Sequence, residues 1–289
     1  MRNCPKGFVA WEDDERILVV TFSSENDKTG NMCQTWILAK AESPYEATVS
    51  GLDYIVCGDC KHRRASLGSC YVNTVRMGPG NVWKSWRDGN YPPSSRFLIS
   101  KLQGRKVRVG SFGDPAFVPF EVWETLLQDT YGSTGYTHGW RWCDQRLAKY
   151  CMASVDTMEE MEVAQALGWR TFRVRQEGEP RNKNEMQCPA VEEISDMQCE
   201  DCMACSGSAS AGKSVSLEVH GATKKRFLPI KRNPEEMSTG AAVATALIVG
   251  TALGLLTAWA SKKYSTLWPT TTTTCQERLL VKSAFVAFH

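Results

Sequence analysis

From Lys106 to Arg175 short apolar runs alternate with amphipathic ones, and that alternation leaves few folds open to the chain. Val107-Arg108-Val109-Gly110-Ser111 reads as a strand closed by Gly113-Asp114-Pro115. Pro119 to Asp129 reads as a helix, with Pro119 suited to the first turn and Val122, Trp123, Leu126 and Leu127 on one face. A strand (Ser133 to His138), a short helix (Asp144 to Lys149), a strand (Cys151 to Val155), a helix (Met158 to Leu167) and a strand (Trp169 to Arg175) follow. Asp156 or Thr157 fits the cap of the helix at Met158, and Gly168 stands where a helix end favours a left-handed residue. Strands and helices at this spacing predict β-α-β units in an α/β fold, a full or partial parallel β/α barrel. Val215 to Val219 supplies a last strand.

Less order is legible upstream. Residues 1–56 read as loop and strand, with Thr35 to Ala39 and Asp53 to Val56 as short apolar strands. Residues 78–96 carry Gly78-Pro79-Gly80, Asp88-Gly89-Asn90 and Pro92-Pro93 and read largely as turns. In parallel β/α folds chemistry collects where strands end. The residues at those ends here are Cys57, Asp114, His138, Asp156, Arg175, Cys188 and His220. His138 suits a general acid–base, a metal ligand or a hydrogen-bonded structural role. Asp114 either organises the turn before Pro115 or binds substrate, and Asp156 serves a pocket or only a cap.

Twelve cysteines in 289 residues are many, and seven of them fall in two groups. Cys188 with Cys199-x2-Cys202-x2-Cys205 offers four thiolates, enough for a cubane iron–sulfur cluster or for tetrahedral zinc. Cys57-x2-Cys60-x9-Cys70 offers three, which leaves a coordination position open unless His62 closes it as an ordinary zinc site. Lys61, His62, Arg63 and Arg64 are expected to make that loop electropositive and to lower its thiol pKa values. No apolar leader opens the chain, because charges from Glu12 to Arg16 interrupt it, so tight cysteine spacing points to metal rather than to disulfides.

Gly207-x4-Gly212-Lys213-Ser214 matches the phosphate-loop pattern in letters. That motif works only where a helix leaves the loop, and the residues after it alternate like a strand. Met237 to Ser261 is 25 residues without a charge, about 37 Å of helix against a hydrocarbon core of about 30 Å. It predicts one membrane span, with Gly250 and Gly254 placed for helix–helix packing. Lys224, Lys225, Arg226, Lys231 and Arg232 precede it and fit contact with anionic lipid, nucleic acid being the weaker option at a net charge of +2. The expected organisation is a metal-binding β/α domain over 1–232 on the cytoplasmic side, a linker at 233–236, a membrane helix at 237–261 and a tail at 262–289.

Several separated motifs together resemble a cysteine-rich family of phages and prophages with no assigned activity. They are Gly58-Asp59-Cys60-Lys61-His62-Arg63, Ser69-Cys70-Tyr71-Val72-Asn73, Gly110-Ser111-Phe112-Gly113-Asp114-Pro115 and Gly135-Tyr136-Thr137-His138. Met152-Ala153-Ser154-Val155-Asp156, Cys188-Pro189-Ala190 and the 199–205 cysteines complete the set, over roughly residues 25–227. The organisation is similar to radical S-adenosylmethionine enzymes, with a three-cysteine site, a β/α barrel and a later cysteine-rich cluster. The resemblance implies one or two iron–sulfur clusters and S-adenosylmethionine as a cofactor, with Cys57, Cys60 and Cys70 at the reactive cluster. Asp114, His138 and Asp156 would then line the pocket of an unknown substrate. The spacing departs from that superfamily's Cys-x3-Cys-x2-Cys. The other reading is a zinc-stabilised binding module tethered to the membrane.

Overall fold

The computed structural model describes residues 5–23, 26–74, 78–191, 196–209, 212–220 and 223–227, all within the unit Met1–Arg232. The expected linker at 233–236, membrane segment at 237–261 and tail at 262–289 lie outside the described residues. Among the described residues no helix is long and apolar enough to cross a membrane.

The chain opens with a hairpin, β1 (Gly7–Glu12) and β2 (Arg16–Thr21), followed by β3 (Cys33–Ala39). The charged run expected only to break a leader makes the hairpin turn, where Asp13 Oδ1 accepts from the backbone of Glu15 and Arg16. Four short helices follow, α1 (Pro44–Ser50), α2 (Tyr54–Cys57), α3 (Pro79–Arg87) and α4 (Arg96–Ser100). Then come β4 (Lys106–Phe112), α5 (Phe120–Leu127), β5 (Gly132–Thr137), β6 (Met152–Val155), α6 (Met158–Ala166) and β7 (Thr171–Arg175). The end of the described chain holds β8 (Glu185–Gln187), α7 (Cys199–Cys202) and β9 (Ser214–Glu218).

Two expectations upstream are corrected. Asp53 to Val56 is not a strand but leads into the single turn of α2, because the Asp53 carbonyl takes the amides of Val56 and Cys57. Four apolar residues carry no period that separates the two structures. Gly78-Pro79-Gly80 opens a helix rather than a turn, with Pro79 in the first turn where its missing N–H costs nothing.

Among the described residues nine strands join one sheet in the order β1-β2-β3-β4-β5-β6-β7-β9-β8. Both hairpin pairings are antiparallel, and every pairing from β3 onward is parallel. β1 and β8 are the two edges, so a closed barrel is not formed among the described strands. The sheet's two faces differ in what covers them. Val107, Val109, Ala153 and Val155 share a core with Trp123, Leu126 and Leu127 of α5 and Met161 and Ala164 of α6. On this helical face Gly135 is required, since a Cβ there would lie 2.8 Å from Val109 Cβ and 2.9 Å from Cys151 Sγ.

The register places Gln34, Arg108, Thr134, Tyr136, Met152, Ser154, Phe172 and Val215 on the opposite face. There Met152, Phe172, Val215 and Leu217 pack with Cys205, and Tyr136 and Cys188 lie against them. Topology explains the asymmetry. From β3 to β7 the strands advance in one direction, and right-handed crossovers put their helices on one side. β9 then steps back between β7 and β8, so its right-handed crossover from β8 must run over the other side. That crossover is residues 188–213, which carry the second cysteine group. The phosphate-loop look-alike enters β9 at Ser214, so no helix amide faces its loop.

Candidate metal centres

The first cysteine group sits in a loop pinned by an ion pair. Arg63 reaches Asp53 at 2.5 Å and the carbonyls of Gly51 and Gly58 at 2.8 and 3.1 Å. Asp53 is 2 % exposed, so the pair holds the loop against the end of α2. The amide of Asp114 donates to the Val56 carbonyl at 2.7 Å, which fixes α2 over the carboxyl end of β4. Cys57 ends α2, while Cys60 and Cys70 are in the loop, Cys70 closing a turn onto the His62 carbonyl.

The loop is not electropositive where the thiols are. Cys57 is pushed well above its ordinary pKa, first by burial and then by the negative charge of Cys60, Asp53, Cys70 and Asp114. Arg63 is spent on Asp53, and His62 Nε2 faces Asp156. The expected lowering is therefore reversed for Cys57 and Cys70, whose thiols burial holds neutral unless a cation sits among them.

Asp114, His138 and Asp156 follow β4, β5 and β6, at the carboxyl ends of three adjacent strands. Asp114 is buried, and its oxygens accept from Ala116 N, Thr137 Oγ1 and His138 N at 2.9, 2.5 and 2.7 Å. Its placement fixes the backbone that presents His138. Thr157 caps α6 through Glu160 N, which leaves Asp156 available to the loop. The backbone of Asp156 is held by Glu160 at 2.7 Å, and its Oδ1 lies 2.9 Å from His62 Nε2 and 4.0 Å from His138 Nε2. Burial opposes a charge on His138, but the Cys60 thiolate and the Asp156 and Asp114 carboxylates outweigh it and raise its pKa to about 10. A small cavity beside these groups, about 60 Å³, is lined by Cys60, Lys61, His138, Ser154, Asp156 and Glu160 among others.

The two other strand-end residues serve the framework. Arg175 bonds Ser216 and Gln187 at 3.3 and 2.9 Å, and His220 meets Lys28 Nζ at 3.0 Å.

The second group gathers over β4, β5 and β9. Cys188 N donates to the Ser216 carbonyl, Cys199 N to Lys28 O, and the Cys205 carbonyl accepts from Gly135 N. The Cys188 thiol is raised by burial and by the charges of Cys199 and Cys202, and Cys205 is pushed up to about 12, chiefly by burial. Beneath them lies Arg108, 8 % exposed, its guanidinium 4.3 Å from the centroid of the Tyr136 ring. Among the described residues Arg108 makes no ion pair with a carboxylate, and the groups around it are the buried phenols of Tyr136 and Tyr71 and the Cys199 thiol. Sequence reasoning passed over Arg108, which looked like one polar residue in a strand.

Donor spacing tests which metal centre the thiols fit. Zinc bonded to sulfur at about 2.3 Å places its four thiolates about 3.8 Å apart. Among the described residues no three of the seven grouped thiols lie within 4.8 Å of one another. An iron–sulfur cluster holds its thiolates on separate irons. Seven thiols in two groups are a donor set that either kind of centre could use. The three ligand-type atoms that do converge within 4.8 Å belong to His62, His138 and Asp156. Comparison with known proteins returns nothing to set beside this geometry: no family model, no curated protein and no solved structure matches the chain.

Proposed function

We propose that this chain is an iron–sulfur enzyme of the radical type. Cys57, Cys60 and Cys70 would hold its reactive centre, and Cys188, Cys199, Cys202 and Cys205 an auxiliary one. One observation carries the reading: Arg108 is buried, pairs with no carboxylate among the described residues, and lies within electrostatic reach of Cys199 and Cys205. A guanidinium cannot neutralise itself by losing its proton, and an uncompensated buried charge costs several kcal/mol. Four thiolates around a metal centre carry net negative charge and would compensate it, whereas four neutral thiols would not. Three closely spaced cysteines, Cys199, Cys202 and Cys205, support iron–sulfur over zinc.

The first group supports a reactive role by its number and its place. Three thiolates leave one position open, and the loop stands over the carboxyl ends of β4 to β6, where α/β sheets put their chemistry. When bound, such a cluster supplies electrons for reductive cleavage of S-adenosylmethionine. The chain's own residues would do the rest. Asp114 fixes the backbone of His138, Asp156 and His138 line the cavity, and Arg63 keeps the cysteine loop folded. The uncharged segment 237–261 and the basic residues before it support a membrane tether and contact with lipid.

The test is turnover. Protein reconstituted without oxygen and then reduced should convert S-adenosylmethionine to methionine and 5′-deoxyadenosine. Changing Cys57, Cys60 and Cys70 together to alanine should abolish that product. Iron-loaded protein that never yields it would restrict the clusters to electron transfer or structure.

A further inference from the structure

We propose that His62, His138 and Asp156 form a second kind of metal site, a mononuclear one for a divalent transition-metal ion, beside Cys60 of the first cysteine group. The ligand-type atoms of the three residues lie within 4.8 Å of one another. Two ligands at about 2.1 Å from one tetrahedral ion stand about 3.4 Å apart. The observed separations from Asp156 Oδ1, 2.9 Å to His62 Nε2 and 4.0 Å to His138 Nε2, bracket that value.

The surroundings match what a metal-bound imidazole needs. His62 Nδ1 lies 2.7 Å from Ser69 Oγ, the kind of outer partner that fixes which nitrogen faces the ion. With Nδ1–H donating to Ser69, Nε2 is left with a lone pair toward Asp156 and is free to take a cation there. Phe227 stacks on the His62 ring at 5.5 Å between centroids with 6° between planes, which sets its orientation. His138 Nε2 is buried without a hydrogen-bond partner, and buried polar atoms without partners are rare. Asp156 is positioned from behind by Glu160, which takes its backbone amide.

Two imidazoles and one carboxylate suit borderline ions such as zinc or ferrous iron, and three protein ligands leave positions open. The 60 Å³ cavity adjoins the site, and Lys61 and Ser154 line it beside Asp156. A water or a small oxygen ligand would complete the shell from there.

Cobalt(II) is a suitable probe, because thiolate ligands give it an intense near-ultraviolet charge-transfer band and nitrogen or oxygen ligands do not. The full chain, titrated with cobalt(II), should bind one more equivalent than His62→Ala, His138→Ala or Asp156→Asn. The sulfur-to-cobalt band should be equally strong in all four. Ser69→Ala keeps every ligand and should weaken this one equivalent about 10-fold. It serves as the test should the ligand variants fail to fold. An unchanged stoichiometry in the ligand variants, or an unchanged affinity in Ser69→Ala, would overturn the site. So would a loss of cobalt that takes a matching share of the sulfur band with it.

Discussion

His62 Nε2 lies 2.9 Å from Asp156 Oδ1, joining residues 94 positions apart in the chain. The contact exists because the cysteine loop folds over the ends of β5 and β6 while Thr157, rather than Asp156, caps the following helix. It gives His62 a carboxylate partner from the end of β6 in addition to the cysteines beside it in sequence.

The buried pair Arg173–Glu185 should dominate the stability of the β7–β9–β8 edge. Arg173 Nε and Nη2 donate to the two Glu185 oxygens at 2.8 Å each, with side-chain exposures of 1 % and 0 %. Glu185→Gln leaves the guanidinium with only the partly exposed Glu179 as charge partner and should destabilise the domain by up to about 3 kcal/mol in urea denaturation. The pH dependence has a definite sign. Burial raises the Glu185 pKa, but Arg173 and the backbone of Asn182 outweigh it and the net shift is downward. Its contribution is therefore complete above the unfolded carboxylate value of about 4.3 and is lost as pH falls through the lower folded value. Acid titration of stability should show that loss in the native chain and lack it in Glu185→Gln.

Lys213 should be irrelevant to nucleotides. Its backbone carbonyl accepts from Arg170, and the chain then enters β9 rather than a helix. Lys213→Ala should leave ATP affinity, measured by equilibrium dialysis, where it was. A tenfold loss would mean that the loop binds phosphate after all.

Leu247→Lys with Val249→Lys should release the full chain from membranes on fractionation. Each charge at a span's centre costs about 3 kcal/mol, and the sequence there is otherwise uncharged. Recovery of the native chain in the supernatant without detergent would contradict the tether.

The parallel half of the fold was legible because each signal was local. Val107–Ser111, Pro119–Asp129 and Met158–Leu167 carry their own period, caps and breakers, and the structure places elements there. What was not legible depended on distant partners. Asp53 to Val56 reads as a strand until Arg63 is known to hold Asp53, and α3 hides behind glycines that usually mark turns. The reversal that sets β9 inside β8 leaves no mark in composition, yet it decides which face the second cysteine group covers. At the site, spacing identified the two thiol groups, and strand ends pointed to Asp114, His138 and Asp156. Arg108 and the pairing of His62 with Asp156 came only from the fold. A buried cation in a strand and an imidazole beside cysteines each have commoner explanations in sequence alone.

Metal content with Mössbauer spectroscopy bears most directly on the iron–sulfur assignment. Full-length protein, reconstituted with iron and sulfide in the absence of oxygen, should be brown and contain two clusters. Cys57, Cys60 and Cys70 changed together to alanine should remove one, and Cys199, Cys202 and Cys205 changed together should remove the other. Arg108→Met should destabilise only the second, since its charge faces that group. Colourless protein that binds one zinc at each cysteine group and takes up no iron would contradict the assignment and leave a zinc-stabilised binding module in its place.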